Sequence, residues 1–484
     1  MVAELKGFNK MQSRVKSGDD DFSNDVQLLM EKIVNLEFKD LPSKVVDTAK
    51  KAILDTLGVI LAASTLGEGC GEFIELAKIW GSERGKSTVL GFGLQTSPPM
   101  AAFANGSMAH ALDYEEVHDF AFVHPSAQTF PALLAISESI GGVSGKDFIT
   151  ALVLGNEFTV RLGLSRTYYG EDALFLCNPP NLGVFGATLA VSKVLGLNEK
   201  QMLSALSLAL CQASFSSEVM GDPNSIIRAT REAFTSKSAI ISAVLAQKGI
   251  KGCEKPIEGK YGLFKLYFGN SCDPSQLIRE FGKTFEYANI SFKPWPCCRG
   301  THPHIQASLR IMEKHQLEPE AIEEICLLIH PMDRFLCEPL SYKRKPVSAI
   351  DAKASLPFTV ATSIVHKNVN LQSFTPKNLA DDEVLKLAKR IDYRIDSNLN
   401  KPIQGGVIVK SRDGKVYSET VYADELLGSP KKPLSNEDIT SKFIECTKHS
   451  ARRISKSSSE KLIDIILNFE NVDDVRDITS ILNQ

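Results

Sequence analysis

The chain has 484 residues, which at roughly 100–200 residues per domain predicts two or three domains. Hydrophobic residues at 43% and charged residues at 23% exclude wholesale disorder and leave material for a large core. Fifty-five Lys+Arg against 58 Asp+Glu give a net charge of −3, without the basic excess of a dedicated nucleic-acid binder.

No run approaches about 18 consecutive apolar residues, so no membrane span or membrane partner is expected. The mixed-charge N-terminus lacks the apolar core of a signal peptide. The 10 cysteines are scattered, with one adjacent pair, Cys297–Cys298, and no CxxC. That usage reads as free thiols in a reducing space, hence a cytoplasmic protein without a zinc site.

Residues 1–24 are polar and predict a flexible N-terminus. From 25 to 283 nearly every segment has helical spacing: Val45–Leu61 behind Pro42, Met100–Leu112, Phe130–Ile140, Asp147–Leu162, Gly183–Leu195, Glu199–Ala213 and Phe234–Gln247. Asn198 is a natural cap for the helix that follows it. Stretches such as AAFANGSMAHAL are apolar or small on most faces, which places them inside a large all-helical domain. Residues 284–432 change character. Glu286–Phe292, Ile325–His330, Gly406–Lys410 and Val416–Ala423 read as strands, the last two flanking the turn signal Arg412-Asp413-Gly414. Helical patterns at His304–Lys314, Ala354–Val365 and Asp381–Arg390 lie between them, predicting a smaller α+β domain on a split βαβ plan. From 433 to 484 helices resume. The predicted class is mainly α, with a smaller α+β unit.

The densest chemistry is His110-Ala-Leu-Asp113-Tyr-Glu-Glu-Val-His118-Asp119, followed by His124-Pro125-Ser126. Asp113 emerges at a helix end and His124 precedes the next helix, so a carboxylate could orient an imidazole across the loop. A solvated acidic loop fits the same spacing. Neither HALD nor HDFAFVH has a familiar metal-ligand spacing, so no metal is expected. Gly91-Phe-Gly93 lacks the third glycine of a dinucleotide fingerprint.

A second cluster, Lys293-Pro-Trp-Pro-Cys-Cys-Arg299-Gly-Thr-His302-Pro-His304, puts cations and histidines in an irregular loop before a helix. That arrangement suits a carboxylate, although a structural turn with buried Cys297 and Cys298 fits it too. Arg228 and Arg231 stand three apart on one face, as a dicarboxylate clamp would need, or as a solvated first turn. Asp351 opens an apolar helix and reads as a cap.

Together these pieces resemble the MmgE/PrpD family, which includes 2-methylcitrate dehydratases, cis-aconitate decarboxylases and iminodisuccinate epimerase. The resemblance runs from about Leu41 to Leu467. It rests on AKKAILDTLGVILA (49–62), ANGSMAHALDYEE (104–116), HPSA (124–127), ALVLGNEFTVRLG (151–163), NLGVFGATLA (181–190), EGKYGLF (258–264), KPWPCCRGTH (293–302) and DAKASLPF (351–358). It implies a large helical domain completed by the C-terminal helices, a smaller α+β lid, and a site between them. It further implies a homodimer acting on small di- or tricarboxylates without metal or organic cofactor.

Carried over position by position, Asp113 and His124 match the family's Asp and HPS histidine. His302, Lys293 and Arg299 match the histidine and cations of the KPxPCC loop. The chain departs at Val117, where the decarboxylases carry Thr, at Arg228-Ala-Thr-Arg231, where many members carry Lys-x-x-His, and at Phe358, where they carry Tyr. An arginine cannot take over the chemistry of a lysine that loses its proton. The expected reaction is therefore dehydration of a 2-methylcitrate-like acid, with decarboxylation and epimerisation as rival chemistries and a catalytically retired carboxylate binder as the other class. The expected roles are proton transfer by His124, oriented by Asp113, with His302 opposing it, and carboxylate binding by Arg228, Arg231, Lys293 and Arg299.

Overall fold

The computed structural model describes residues 19–82, 85–167, 179–222, 224–268 and 272–483. The first 18 residues of the expected flexible N-terminus lie outside them. Helix α1, Asp19–Asn35, already begins inside that stretch. Val26, Leu29, Met30 and Ile33 form its buried stripe.

Helix α2, Ser43–Leu66, is the axis of the first unit, with every residue from Ala52 to Ala63 buried. Helix α3, Cys70–Trp80, and a small hairpin, β1 (Ser87–Val89) with β2 (Leu94–Thr96), lead into α4, Pro98–Ala111. Helices α5 (Pro125–Ile140), α6 (Gly145–Leu164), α7 (Pro179–Val194), α8 (Glu199–Leu210) and α9 (Glu232–Gln247) complete the helical layer sequence. Asn198 caps α8 in a reciprocal box with Gln201. No single described helix is long and apolar enough to cross a membrane.

Two glycines set the helix spacings that build the site. A Cβ at Gly106 would lie 2.9 Å from Ala233 Cα and from Glu232 O, so only glycine lets the start of α9 rest directly on α4. A Cβ at Gly58 would lie 3.0 Å from Phe443 Cδ2. There α2 is crossed by α14, Asn436–Thr447, which is followed by α15 (Lys456–Leu467) and α16 (Arg476–Leu482). One hydrophobic cluster accordingly joins residues from Val26 to Phe292 with residues from Leu434 to Leu482.

A second cluster, from Trp295 to Leu426, surrounds a four-stranded sheet. Its strands are β3 (Ile322–Ile329), β4 (Ile391–Ile395), β5 (Gly405–Ser411) and β6 (Val416–Val421), in the order β4-β3-β5-β6. Strands β5 and β6 form the expected hairpin, with Gly414 at φ 84 in its turn. Helix α10, His302–His315, packs on β5 and β6, and α12, Leu356–Val365, packs on α10. The short α11, Ala349–Lys353, precedes α12, and α13, Asp382–Ala388, precedes β4.

Two expectations are corrected. The parallel strands β3 and β4 are direct neighbours, Ile325 facing Ile391, so the βαβ unit is not split. Strand β4 itself, Ile-Asp-Tyr-Arg-Ile, follows directly on the helical pattern Asp381–Arg390 and belongs to none of the predicted elements. The strand expected at Glu286–Phe292 is a 3-10 turn, Glu286–Asn289, followed by one bridge from Ser291 to Val117. The N–H groups of Glu286 and Tyr287 donate to the buried Glu157 carboxylate at 3.1 and 2.7 Å instead of to a neighbouring strand.

Candidate active site

The end of α4 opens the site. Asp113 adopts φ 49, a left-handed conformation that Asp tolerates better than most residues, and turns the chain out of the helix. The loop that follows is tied down: Val117 and Ser291 exchange backbone hydrogen bonds of 2.9 and 2.7 Å, and Val123 O accepts from His118 N at 2.9 Å. Pro125 then starts α5 at a position where no backbone donor is needed. Glu116 Oε1 accepts from Ser126 N at 2.8 Å and so satisfies one open donor of that helix.

This loop brings together His110, Asp113, Glu115 and His124. Glu115 Oε1 lies 2.5 Å from His110 Nδ1 and 2.8 Å from His124 Nδ1. The second contact is off the line of a well-formed hydrogen bond. The partner of His124 is thus Glu115, and the expected pairing with Asp113 is corrected. Asp113 is held elsewhere. Its Oδ2 accepts from Arg228 at 2.9 Å, its Oδ1 accepts from Lys293, and Lys293 Nζ also donates to Asp113 O at 2.8 Å. Two full cations hold a carboxylate more strongly than a neutral imidazole does.

The electrostatics follow from those contacts. Burial alone would raise the Asp113 pKa, but Lys293 and Arg228 outweigh it and hold it well below the usual range. Burial likewise opposes ionisation of Glu115, and His110, Lys293 and His124 reverse it. Burial pushes His124 down to about 4, aided by Lys293 and only partly countered by Glu115. His124 is therefore neutral near pH 7. Arg231 donates to His110 Nε2 at 3.4 Å, which puts the His110 proton on Nδ1, towards Glu115. The same carboxylate faces His124 Nδ1, leaving His124 Nε2 as the lone-pair nitrogen. Beneath them Glu116 is pushed up to about 8 by burial.

The second cluster is placed differently from its expected role. His302 is fully buried, with Nδ1 3.3 Å from Arg299 Nη1 and Nε2 3.2 Å from Cys297 O. Both ring nitrogens have partners, and the ring does not line the cavity. Burial and then Arg299 and Lys293 hold it well below its ordinary pKa. Arg299 gives Nε and Nη2 to Asp119 at 3.0 and 3.2 Å and Nη1 to Leu427 O at 3.0 Å. Lys293 is likewise committed to Asp113 and does not face the cavity. Phe358 packs in the sheet-domain core, its ring centroid 6.3 Å from that of Phe374.

The cavity has a volume of about 380 Å³, within the range of small-molecule sites, and lies between the two units. The helical unit contributes His124, Arg228 and Arg231, and the sheet unit Cys298, Arg299, Asp333 and Ile403. Phe122 and Ile403 hold φ of 53 and 59, left-handed conformations costly for such residues, and with Asp113 they concentrate strain here.

Sequence reasoning missed several groups of the candidate site. His110, Glu115 and Glu116 stood in the right cluster, but three closely spaced carboxylates gave no means of choosing among them. Asp333 gave no signal: its carboxyl accepts no hydrogen bond from the described residues, and burial pushes it up to about 8. Lys442, on α14, gave none either. Its ammonium lies 2.6 Å from Asp55 Oδ1 and donates to Tyr114 O at 2.7 Å and Lys293 O at 3.0 Å. It therefore ties together the two loops that carry the site. Asp351 is not the cap of the apolar helix α12; Ser355 is, and Asp351 lies inside the short α11, where it pairs with Lys343 at 2.6 Å.

One ligand atom from each of His110, Asp113, Glu115 and His124 lies within 4.8 Å of the others, a spacing that could hold a metal ion. Both oxygens of Asp113 already serve the ammonium of Lys293 and the guanidinium of Arg228. A dication there would compete with two resident charges, so the donor set fits a metal poorly.

The fold and site define a two-unit, α-rich protein with a buried acid–base pair and arginines facing a cavity between the units. The chain belongs to the MmgE/PrpD family: the MmgE/PrpD N-terminal domain matches residues 27–274 and the C-terminal domain residues 295–471. It is 27% identical to a cis-aconitate decarboxylase of Homo sapiens over 467 residues, covering 93% of this chain and 92% of that one. It is 26% identical to a cis-aconitate decarboxylase of Aspergillus terreus over 477 residues, with 93% and 94% covered. With a 2-methylcitrate dehydratase of Salmonella typhimurium it shares 22% over 481 residues, with 92% and 94% covered. These relatives are lyases, and the chain is an enzyme of that kind.

Proposed function

We propose that this lyase removes a proton next to a carboxylate of a small hydroxy di- or tricarboxylate and expels the β-hydroxyl, as in 2-methylcitrate dehydration. The observation that supports it is His124 on the cavity wall, backed by Glu115 and flanked by Arg228 and Arg231. His124 Nε2 takes the proton from carbon, and the electron pair forms the C=C bond. Hydroxide leaves the neighbouring carbon with a proton from Asp333 and departs as water. Arg228 and Arg231 hold the carboxylate and stabilise the enolate-like charge as it develops. Lys293, Arg299 and His302 act at one remove, Lys293 by fixing Asp113 and His302 by supporting Arg299.

The identities of 26–27% with decarboxylases favour a second reading, loss of CO₂ from a cis-aconitate-like acid with protonation of the resulting carbanion. Proton NMR of citrate, 2-methylcitrate, cis-aconitate and iminodisuccinate with the enzyme and EDTA separates the two. New alkene signals from a hydroxy acid support dehydration. Product from cis-aconitate alone supports decarboxylation, and silence across the panel contradicts both. A homodimer and a cytoplasmic location belong to the same proposal, and light scattering of the purified protein tests the first.

A further inference from the structure

A second cavity, of about 790 Å³, also lies between the two units and takes no part in the chemistry above. It shares no lining residue with the cavity of His124. Leu66, Glu68 and Leu112 face it from the helical unit, and Lys353, Phe374 and Leu379 from the sheet unit.

Lys353 ends α11, inside the DAKASLPF segment, and is only 2% exposed. Among the described residues three other lysines are buried, and each holds a carboxylate: Lys293 holds Asp113, Lys343 holds Asp351 and Lys442 holds Asp55. Lys353 holds none. Its ammonium lies over the Phe374 ring, 4.8 Å from the centroid, and has no hydrogen-bond or ion-pair partner among the described residues. Glu68 Oε2 accepts from Ala349 N at 3.0 Å instead. The cavity's other charges, Lys345 and Asp382, stand on its exposed rim. Burial pushes the Lys353 ammonium down to about 8, and Asp113, Glu68, Cys297 and Cys70 oppose that only partly. A buried charge without a counterion is strongly disfavoured, so a cavity built around one calls for an anion.

The kind of anion follows from the rest of the wall. One ammonium with Glu68 nearby suits a singly charged head better than a phosphate monoester, which carries close to two charges. Beyond it Leu66, Leu112, Leu371 and Leu379 supply a carbon surface. We infer that this cavity binds an aliphatic carboxylate, its head on Lys353 and its chain along those leucines. Each buried CH₂ adds roughly a fourfold factor in affinity. The site is independent of the lyase reading.

The test is isothermal titration of the full-length protein with hexanoate, against 1-hexanol as its uncharged match. Hexanoate should bind at least about tenfold more tightly, the worth of a charge-assisted hydrogen bond. Raising the pH from 7 to 9.5 should weaken it about tenfold or more, because Lys353 loses its proton. An arginine site keeps its charge over that range and would not respond. Lys353→Gln should weaken hexanoate by about tenfold or more, whereas Arg228→Gln should leave it within about threefold, since the two cavities are separate. The inference is overturned if hexanoate does not bind, or binds no better than hexanol. It is equally overturned if affinity persists at pH 9.5 or in folded Lys353→Gln, or is lost in Arg228→Gln. Should Lys353→Gln fail to fold by circular dichroism, the pH series on wild type decides alone. Every one of these outcomes leaves the lyase reading to be tested by turnover.

Discussion

Glu115 Oε1 lies 2.8 Å from His124 Nδ1, and a carboxylate on that side favours a proton on Nδ1, which under the proposed mechanism leaves Nε2 to take one from substrate. A carboxylate at Nδ1 leaves Nε2 unprotonated, in the manner of a buried acid that sets a catalytic imidazole's tautomer. His124→Ala should therefore lower kcat by about 10²–10⁴-fold. Glu115→Gln keeps the shape but loses the charge, and should lower kcat by on the order of 10²-fold or more. Its pH–rate profile should shift as well, because Glu115 opposes the burial-driven fall of the His124 pKa. Steady-state kinetics from pH 4 to pH 8 check both.

His302 separates this account from the expectation drawn from sequence. With both nitrogens engaged by Arg299 and Cys297 O and its ring off the cavity wall, His302 is expected to support Arg299 and not to transfer a proton to substrate. His302→Gln should leave kcat within about tenfold of wild type and its pH dependence unchanged, in contrast to His124→Ala. A loss as large as that of His124→Ala would return His302 to the acid–base pair.

The arginine grip has a different kinetic signature. Charge-assisted hydrogen bonds are worth about 1.5–3 kcal/mol, so Arg228→Gln or Arg231→Gln should weaken substrate binding about 10- to 100-fold. Arg228→Gln should also affect kcat, since Asp113 loses one of its two partners.

Lys442 gives a stability prediction that sequence could not have supplied. Lys442→Met strands the buried Asp55 and should cost about 3–5 kcal/mol in urea denaturation. Adding Asp55→Asn removes the orphaned charge and should recover much of that loss. Activity should stay low in the double variant, because Tyr114 O and Lys293 O still lack their common donor.

Glu116 sets an alkaline limit. Burial raises its folded pKa to about 8 from 4.5, so its contribution is fully present below pH 4.5 and is lost as pH rises through 8. Between pH 7 and pH 9 wild type should lose on the order of 1 kcal/mol more than Glu116→Gln, whose amide oxygen still accepts from Ser126 N. Thermal unfolding of the two proteins at both pH values checks this.

Much of the helical unit was legible because burial imposes periodicity: Val45–Leu61 lies within α2, and Asp147–Leu162 within α6. The hairpin over Asp413-Gly414 was legible from turn chemistry. Strand β4 was not, since its exposed, charged residues alternate only weakly and follow directly on a helix. Asp113, His124, Arg228 and Arg231 were found as residues, and the resemblance assembled them. What failed was partner choice. The left-handed turn at Asp113 sends its carboxylate to Lys293 and Arg228 and leaves Glu115 for His124, a consequence of three-dimensional packing that spacing does not contain. Asp333 and Lys442 reach the site from distant segments, and no local pattern marks them.

The central claim is proton abstraction by His124 beside a carboxylate. Its most direct test is deuterium uptake from D₂O into the carbon-bound positions of an acid that the enzyme binds, followed by proton NMR with EDTA present. The account predicts exchange by wild type and its loss, by about 10²-fold or more, in His124→Ala with ligand affinity retained. Undiminished exchange in His124→Ala would contradict it.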